Sequence, residues 1–326
     1  MKLPHRRQFL HLAAGAAALP GASHIAQAQS YPSRPITMIL PLAAGGLLDA
    51  LGRVLAERMS RSLGQTIVIE NVTGANGSIG TGRTARARPD GYTIELGNKG
   101  THVLNGAYYS LPYHPLNDFV PIGLLGTTWM ILFGRKNMRA EDLKELIVWL
   151  RANPNTASAG FGGGDSHLAT AFFQKVVGAQ VALVPYRGSA PAMQDLVAGQ
   201  IDVLFGNVDQ LSLTRAGSIK AYAVTSDTRL AAAPDIPTFR EMGLPALSYP
   251  IWIGLFAPKG TPKAIIDKLN TALVEALADA AVRSRADLLP EIAPRERQTP
   301  EALGALQKAD AEKWWPIIKE LGLKAD

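Results

Sequence analysis

The chain has 326 residues, enough for two domains, since a single hydrophobic core rarely grows beyond about 250–300 residues. A hydrophobic content of 47% with 18% charged residues is typical of a globular protein and excludes wholesale disorder. The absence of cysteine excludes disulfides, thiol catalysis and Cys-ligated zinc. The net charge of +6 is reduced to +3 without Lys2, Arg6 and Arg7, because 30 basic residues then face 27 acidic ones. Since no run of five Lys or Arg occurs, we expect no nucleic-acid partner.

The N-terminal segment has the pattern of an export signal. Residues 1–28 combine a basic start, an apolar stretch and small residues that end at Ala28, which predicts a signal peptide cleaved near Ala28. The apolar stretch is shorter than the ~20 residues that span a bilayer. Arg6 and Arg7 resemble the twin-arginine motif, whereas His5 and His11 depart from it, so an ordinary basic leader is the alternative. Either route predicts a periplasmic protein.

The mature chain alternates short β-branched runs with helical periodicity, which predicts an α/β fold with largely parallel sheets. The first half contains predicted strands at 36–40, 67–70, 92–96, 120–125 and 129–133, with an amphipathic helix over 48–59 that ends at Gly64. The second half contains predicted strands at 181–184, 201–205, 220–225 and 251–257, and predicted helices over 143–150, 168–176, from Pro191 onward and over 265–277. We expect one lobe formed by residues 30–127 and 251–326, and a second formed by 128–250. The crossovers are predicted within 122–133 and 249–258.

No catalytic or metal-binding motif is present in the mature part. His102, His114 and His167 lack the spacing of metal ligands. The segment 164–168 departs from a hydrolase nucleophile elbow, because Leu168 stands where that motif requires glycine. The glycine spacings match neither a dinucleotide fingerprint nor a phosphate loop. We therefore expect a protein without a cofactor that is not an enzyme.

One arrangement occurs three times: a strand, a Gly-rich turn and a helix start, at 41–49, 160–167 and 186–191. A helix N-terminus offers unpaired N–H groups and about half a positive charge, so it binds anions without a cationic side chain. Glycine lets the backbone approach a ligand closely. Such loops follow the carboxyl ends of strands, where open α/β sheets bind ligands. The pattern therefore predicts a small-anion site.

A family resemblance extends over the whole mature chain. Its motifs, in order, lie at 31–36, 41–46 with Asp49, 63–65, 70–75, 89–93, 111–113, 118–121, 184–191, 223–226, 237–238 and 257–262. In these segments the chain resembles the substrate-binding receptors of tripartite tricarboxylate transporters, also called Bug receptors.

The resemblance implies a two-lobe periplasmic-binding-protein fold (type II-like), each lobe a mixed, mostly parallel sheet flanked by helices, with the ligand cleft between lobes. It implies a receptor that captures a small carboxylate and delivers it to the membrane subunits of a tripartite tricarboxylate-type transporter. We also expect the mature protein to be a monomer. The ligand-binding residues that it implies are Ala43, Ala44, Gly45, Gly46, Leu47, Leu48, Asp49, Gly97, Thr101, Gly160, Phe161, Gly162, Gly163, Gly164, Asp165, Ser166, His167, Tyr186, Arg187, Ser189 and Asn207.

The chain departs from the family pattern in both main loops. Leu47 and Leu48 stand where smaller residues are common, and Gly163 and Gly164 stand where a hydroxyl is usual. Fewer hydroxyl donors would make the pocket more apolar or more spacious, which favours a bulkier or aromatic carboxylate.

Two other functions stay open at this point. A secreted enzyme acting on a small carboxylate would use Asp49, Asp165 or His167 as its general base. A ligand sensor would signal to a membrane partner. Asp49 itself could pair with a ligand ammonium group or complement the dipole of its own helix.

Overall fold

The computed structural model describes residues 31–285 and 287–323; the expected signal peptide lies outside them. The larger sheet has six strands in the order β11-β4-β10-β3-β1-β2. These strands are β1 (Ile36–Leu40), β2 (Ile67–Asn71), β3 (Thr93–Asn98), β4 (Phe119–Thr128), β10 (Ile251–Pro258) and β11 (Glu291–Ile292). Every residue of β10 is buried, as expected for a strand at the centre of a sheet covered on both faces.

The smaller sheet has five strands in the order β7-β6-β8-β5-β9. These are β5 (Met130–Arg135), β6 (Ser158–Phe161), β7 (Ala182–Pro185), β8 (Val203–Asn207) and β9 (Ile219–Val224). Each sheet and its helices form one lobe. The chain passes from the larger sheet to the smaller one between β4 and β5, and returns ahead of β10.

The two-lobe α/β fold class is confirmed, with one correction to the strand pairing. Parallel pairs join β1 to β2 and β3, and β6 to β7 and β8, but β10 and β5 pair antiparallel with both of their neighbours, and β11 pairs antiparallel with β4. These three strands begin at the junction of the lobes and run away from it, whereas the parallel strands end there. The sheets are therefore mixed rather than largely parallel, because a chain that enters a lobe at the junction must first run outward.

Thr225 ties together the two segments that join the lobes. The backbone N–H of Met130 donates to the Thr225 hydroxyl at 3.0 Å, and the N–H of Tyr249 donates to the Thr225 carbonyl at 3.0 Å. In the larger sheet, Ile251 is paired with Thr128. The outgoing and returning segments thus lie side by side, as in a two-stranded hinge.

The helices cover the sheets and, together with the strands, contribute the buried apolar side chains of the core. They are α1 (Leu47–Leu63), α2 (Ser78–Ala85), α3 (Asn105–Tyr108), α4 (Leu143–Ala152), α5 (Gly164–Val177), α6 (Ser189–Val197), α7 (Leu211–Arg215), α8 (Lys263–Ala278), α9 (Ala280–Arg283) and α10 (Pro300–Glu320). The predicted end of α1 is confirmed, since Gly64 adopts a left-handed conformation with φ of 68°. No helix in the described part of the chain is long and apolar enough to cross a membrane.

Replacing Leu255 in β10 by alanine tests the core of the larger lobe. Leu255 is fully buried between β3 and β4, so Leu255→Ala should lower the free energy of unfolding by about 2–5 kcal/mol, as large-to-small core substitutions do. The matched control is Val148→Ala, because Val148 is 66% exposed; it should change the free energy by less than about 0.5 kcal/mol. Urea denaturation measures both, and similar losses in the two variants would contradict this view of the core.

Candidate functional site

A small cavity lies between the two sheets, where the lobes meet. Its volume is about 50 Å³, and since one water needs roughly 10–15 Å³ on this measure, the cavity holds only a small molecule. A pocket more spacious than the family pattern gives, which the sequence favours as one alternative, is not observed in this arrangement of the lobes. The side chains of Leu42, Leu47 and Leu48 themselves form part of the wall. The expected apolar character is present, with Met130, Phe205, Ile251 and Ile253 also in the wall.

Three helices begin at this cavity, and each is preceded by a glycine. Gly46 precedes α1, Gly163 precedes α5 and Gly188 precedes α6. Glycine has no side chain that could cap a helix, so the first N–H groups of each helix keep their hydrogen-bonding capacity. Residues Gly46, Leu47, Gly163, Gly164 and Ser189, at these starts, line the cavity. The three partial positive charges thus converge on one small volume.

Asp49 fixes the loop before α1 and does not line the cavity. Its carboxylate accepts hydrogen bonds from Arg53 Nε and Nη2 at 3.0 and 2.9 Å and from the Gly45 N–H at 3.0 Å. Burial alone would raise the pKa of Asp49, but the hydrogen bonds from Arg53 and Gly45 outweigh it and lower the pKa. Both carboxylate oxygens are therefore occupied inside the first lobe, which favours the positioning role of Asp49 over contact with a ligand ammonium.

The loop before α5 is held by Ser166. Its hydroxyl accepts from the Gly162 N–H at 3.0 Å and donates to the Gly163 carbonyl at 3.0 Å. A Cβ on Gly162 would lie 2.2 Å from the carbonyl carbon of Gly188, so only glycine allows the loops before α5 and α6 to approach this closely.

The lobes touch directly around the cavity. A Cβ on Gly188 in the smaller lobe would lie 2.9 Å from the Cβ of Ala43 in the larger one. The Gly100 N–H donates to Asp165 Oδ2 at 2.9 Å, and the Tyr108 hydroxyl donates to the Gly164 carbonyl at 3.2 Å. These contacts describe a closed cleft.

Asp165 is the one charged residue in the cavity wall among the residues that the structure describes. Burial raises the pKa of its carboxyl to about 6, against the opposing effects of the Lys99 ammonium and the Gly100 N–H. Lys99 is 1% exposed; its Nζ donates to the Pro250 carbonyl at 2.6 Å and lies 4.3 Å from the ring centroid of Tyr249. Burial lowers the pKa of Lys99.

His167 lies behind the loop rather than in the wall. Its ring stacks on Phe161 with centroids 4.3 Å apart, and it packs against Tyr108 at 5.0 Å. Burial lowers the pKa of His167 to about 4, so the ring is neutral near pH 7 and is a weak base.

The structure brings together twelve of the residues that the family resemblance implies: Ala43, Gly46, Leu47, Leu48, Thr101, Gly162, Gly163, Gly164, Asp165, Ser166, Ser189 and Asn207. The other nine do not line the cavity: Ala44, Gly45, Asp49, Gly97, Gly160, Phe161, His167, Tyr186 and Arg187.

Local contacts explain these nine positions. Ala44, Gly45 and Arg187 are exposed to solvent. The Tyr186 hydroxyl is directed away from the cavity, since it donates to Asp195 Oδ2 at 2.6 Å. A Cβ on Gly97 would meet the ring of His102, and one on Gly160 would meet Ile201; Phe161 is stacked on His167.

Nine wall residues are absent from the sequence-based set: Leu42, Asn76, Asn98, Thr128, Met130, Leu204, Phe205, Ile251 and Ile253. Asn98 and Thr128 end β3 and β4, so the rule that ligands bind at carboxyl ends of strands could have found them. The start of each outward-running strand, β5 and β10, supplies Met130, Ile251 and Ile253. No local motif in the sequence marks these residues as part of a ligand site.

Several polar atoms of the wall have no hydrogen-bond partner within the described part of the chain. They are Asn76 Nδ2, Thr128 Oγ1 and Asp165 Oδ1, and all three are buried. Asn76 also has a left-handed backbone with φ of 52°, a conformation that is sparsely populated and is common at functional sites. Residues 31–285 and 287–323 contain no cluster of His, Asp and Glu that could hold a metal ion.

Comparison with known proteins gives consistent matches over most of the chain. The model of the tripartite tricarboxylate transporter family receptor matches residues 51–323. Protein BugT of Bordetella pertussis is 34% identical over 315 residues, which cover 94% of this chain and 95% of BugT.

Two solved structures share the fold of this chain over their whole length. The periplasmic binding protein BugD has a TM-score of 0.86 and 38% identity, covering 90% of this chain and 100% of BugD. MatC from Rhodopseudomonas palustris, with bound malate, has a TM-score of 0.85 and 34% identity, covering 88% of this chain and 100% of MatC.

Replacing Gly188 by alanine tests the closed arrangement of the lobes. Both Gly188 and Gly163 have extended backbones, with φ of 165° and 172°, so alanine fits either conformation. Gly188→Ala places a Cβ 2.9 Å from Ala43 of the other lobe, whereas the Cβ of Gly163→Ala would be 3.9 Å from its nearest neighbour, Leu42. Overpacking costs about 1–3 kcal/mol, so Gly188→Ala should shift the equilibrium toward the open form by roughly 5- to 150-fold.

Small-angle X-ray scattering measures this shift. We expect a larger radius of gyration for Gly188→Ala, with an unchanged unfolding temperature, and no change for Gly163→Ala. Equal radii for the two variants would contradict the close approach of the lobes.

Proposed function

The chain belongs to the tripartite tricarboxylate transporter receptor family, and from this premise we propose that it captures a small carboxylate in the cavity between its lobes. The observation that carries the proposal is the convergence of three glycine-preceded helix N-termini on that cavity. An anion is the ligand class that such termini stabilise. No Lys or Arg belongs to the wall within the described residues, so the backbone would bind the carboxylate.

The magnitudes are adequate for a transport receptor. Micromolar affinity needs about −8 kcal/mol, and a hydrogen bond to a charged group contributes roughly 1.5–3 kcal/mol. Four to six donors would therefore suffice, even after part of the energy is used to order the two lobes. Besides the helix N–H groups, Asn76 and Thr128 have unpartnered side-chain atoms in the wall that could serve as donors.

The ligand in a structural neighbour supports the carboxylate class. MatC, which this chain resembles over 88% of its length, was solved with malate. The small volume of the cavity favours a compact acid, and its apolar wall favours one with a hydrocarbon portion. A bulkier or aromatic acid would require the lobes to close less completely than they do here.

Export and delivery complete the proposal. BugD is a periplasmic binding protein, and the leader-like residues 1–28 fit the same compartment for this chain. We propose that the protein is periplasmic and delivers its ligand to membrane subunits of a tripartite tricarboxylate-type transporter. A catalytic role is less favoured, because Asp49 is occupied by Arg53 and Gly45 and His167 is a weak base behind the wall.

Pairs of acids and their primary amides test the charge requirement. Isothermal titration calorimetry with small mono- and dicarboxylates should find at least one acid of micromolar affinity. The amide of that acid should bind at least about 30-fold more weakly, because it lacks the charge that three helix N-termini stabilise. Equal affinities for acid and amide, or an acid converted to another compound during the titration, would contradict the proposal.

Ser189→Pro tests the role of backbone N–H groups directly. Ser189 is the first residue of α6, and proline is well tolerated at this position while lacking the N–H. The matched control is Ser189→Ala, which removes the hydroxyl and keeps the N–H. We expect the acid to bind at least about tenfold more weakly to Ser189→Pro than to Ser189→Ala. Equal affinities would mean that α6 does not donate to the ligand.

A further inference from the structure

Asp165 is in conflict with a site that binds anions. It lies in the first turn of α5, lines the cavity and is 6% exposed. A second negative charge so close to a bound carboxylate would repel it. Within the protein, the Lys99 ammonium and the Gly100 N–H favour the ionised form of Asp165, and a donor group on the ligand would favour it from inside the cavity.

The two oxygens of Asp165 differ in their contacts. Oδ2 accepts the hydrogen bond from the Gly100 N–H of the other lobe at 2.9 Å. Oδ1 is buried and has no partner within residues 31–285 and 287–323. A buried acceptor left without a donor is unfavourable, and since Asp165 belongs to the cavity wall, a ligand bound in the cavity is a source of such a donor.

The neighbouring donors of the protein are directed elsewhere. Lys99 Nζ donates to the Pro250 carbonyl, and the Tyr108 hydroxyl donates to the Gly164 carbonyl. No ion pair joins Lys99 to Asp165 in the described part of the chain. The hydroxyl of Tyr249 also lacks a partner there and forms no hydrogen bond with Asp165.

We propose that Asp165 selects small carboxylates that also carry a hydroxyl or ammonium group, which donates a hydrogen bond to Asp165 Oδ1. This inference rests on the proposed function, because the helix N-termini must hold the carboxylate end of the same ligand. The donor offsets the repulsion between the two carboxylates and satisfies the buried oxygen. Since the Gly100 contact of Asp165 joins the two lobes, the complete selective site exists only in the closed form.

Two series of matched ligands measure the effect of the hydroxyl or ammonium donor on affinity while the carbon chain stays the same. Propionate, lactate and alanine form one series, and succinate, malate and aspartate form another; each series contains the plain, hydroxy and amino acid on the same carbon chain. Calorimetric titration of the purified full-length mature protein should give at least about tenfold higher affinity for a donor-bearing member than for the plain acid of its series. The hydroxy and amino members distinguish the two donor groups.

Asp165→Asn should reduce this preference, measured as the ratio of the affinities for the donor-bearing acid and the plain acid of its series, to less than about threefold. Asp165→Ala is the second variant, and circular dichroism confirms that each is folded. Tyr249→Phe is the matched control, because it removes a nearby buried hydroxyl without changing charge; it should keep the wild-type preference.

The outcomes separate this inference from the proposed function. Binding of all acids with ratios near one would overturn the role of Asp165 and leave carboxylate capture intact. A preference retained in Asp165→Asn, or lost equally in Tyr249→Phe, would also overturn the role of Asp165. If the protein binds none of these six acids and none of the acids that are compared with their amides, both the role of Asp165 and the proposed carboxylate capture are overturned.

Discussion

The structure depends on one electrostatic arrangement: three helices, α1, α5 and α6, start at the same small cavity with a glycine before each of them. Helix N-termini that are not capped by side chains are unfavourable unless water or a ligand satisfies their N–H groups. Placing three of them together concentrates positive potential in a volume of about 50 Å³. The fold thus prepares a site for an anion without a lysine or arginine in the described wall. Specificity for the remainder of the ligand can then come from neutral groups and from Asp165.

Closure of the lobes depends on glycines in the same loops. Gly162 lies against Gly188, and Gly188 lies against Ala43, at distances that would not admit a Cβ. Gly188 therefore serves two functions: it leaves the start of α6 uncapped, and, with Gly162, it lets three loops from two lobes meet around the cavity. The paired crossover segments tied by Thr225 are a suitable hinge, because strand pairing keeps the lobes aligned while small backbone changes open the cleft.

The sequence predicts the elements well where they have strong periodicity. The strand β1 is predicted at 36–40 and observed at Ile36–Leu40, and α1 ends at Gly64 as its glycine indicates. Helix α2 is not predicted, because its sequence SIGTGRTA consists largely of poor helix formers and its helical state depends on tertiary contacts. The orientation of β5 and β10 is not predicted either, because pairing direction depends on where the chain crosses between lobes.

The loops of the candidate site are predictable, and its complete wall is not. Glycines before a helix start are visible in the sequence, and they locate the three loops that meet. The family resemblance adds residues such as Arg187 and Tyr186 that the structure places in solvent or against Asp195. Wall residues such as Met130 and Ile253 come from β5 and β10, the strands that begin beside the crossovers between the lobes. Periodicity and motifs describe one segment at a time, so they do not predict contacts between residues on opposite sides of the cleft.

A crystal structure of the protein with its tightest-binding acid tests the central claim most directly. The account predicts a carboxylate whose oxygens lie 2.7–3.1 Å, the usual range for charge-assisted hydrogen bonds, from backbone nitrogens at the starts of at least two of α1, α5 and α6. A carboxylate bound instead by lysine or arginine side chains, or outside the cavity between the lobes, would contradict it.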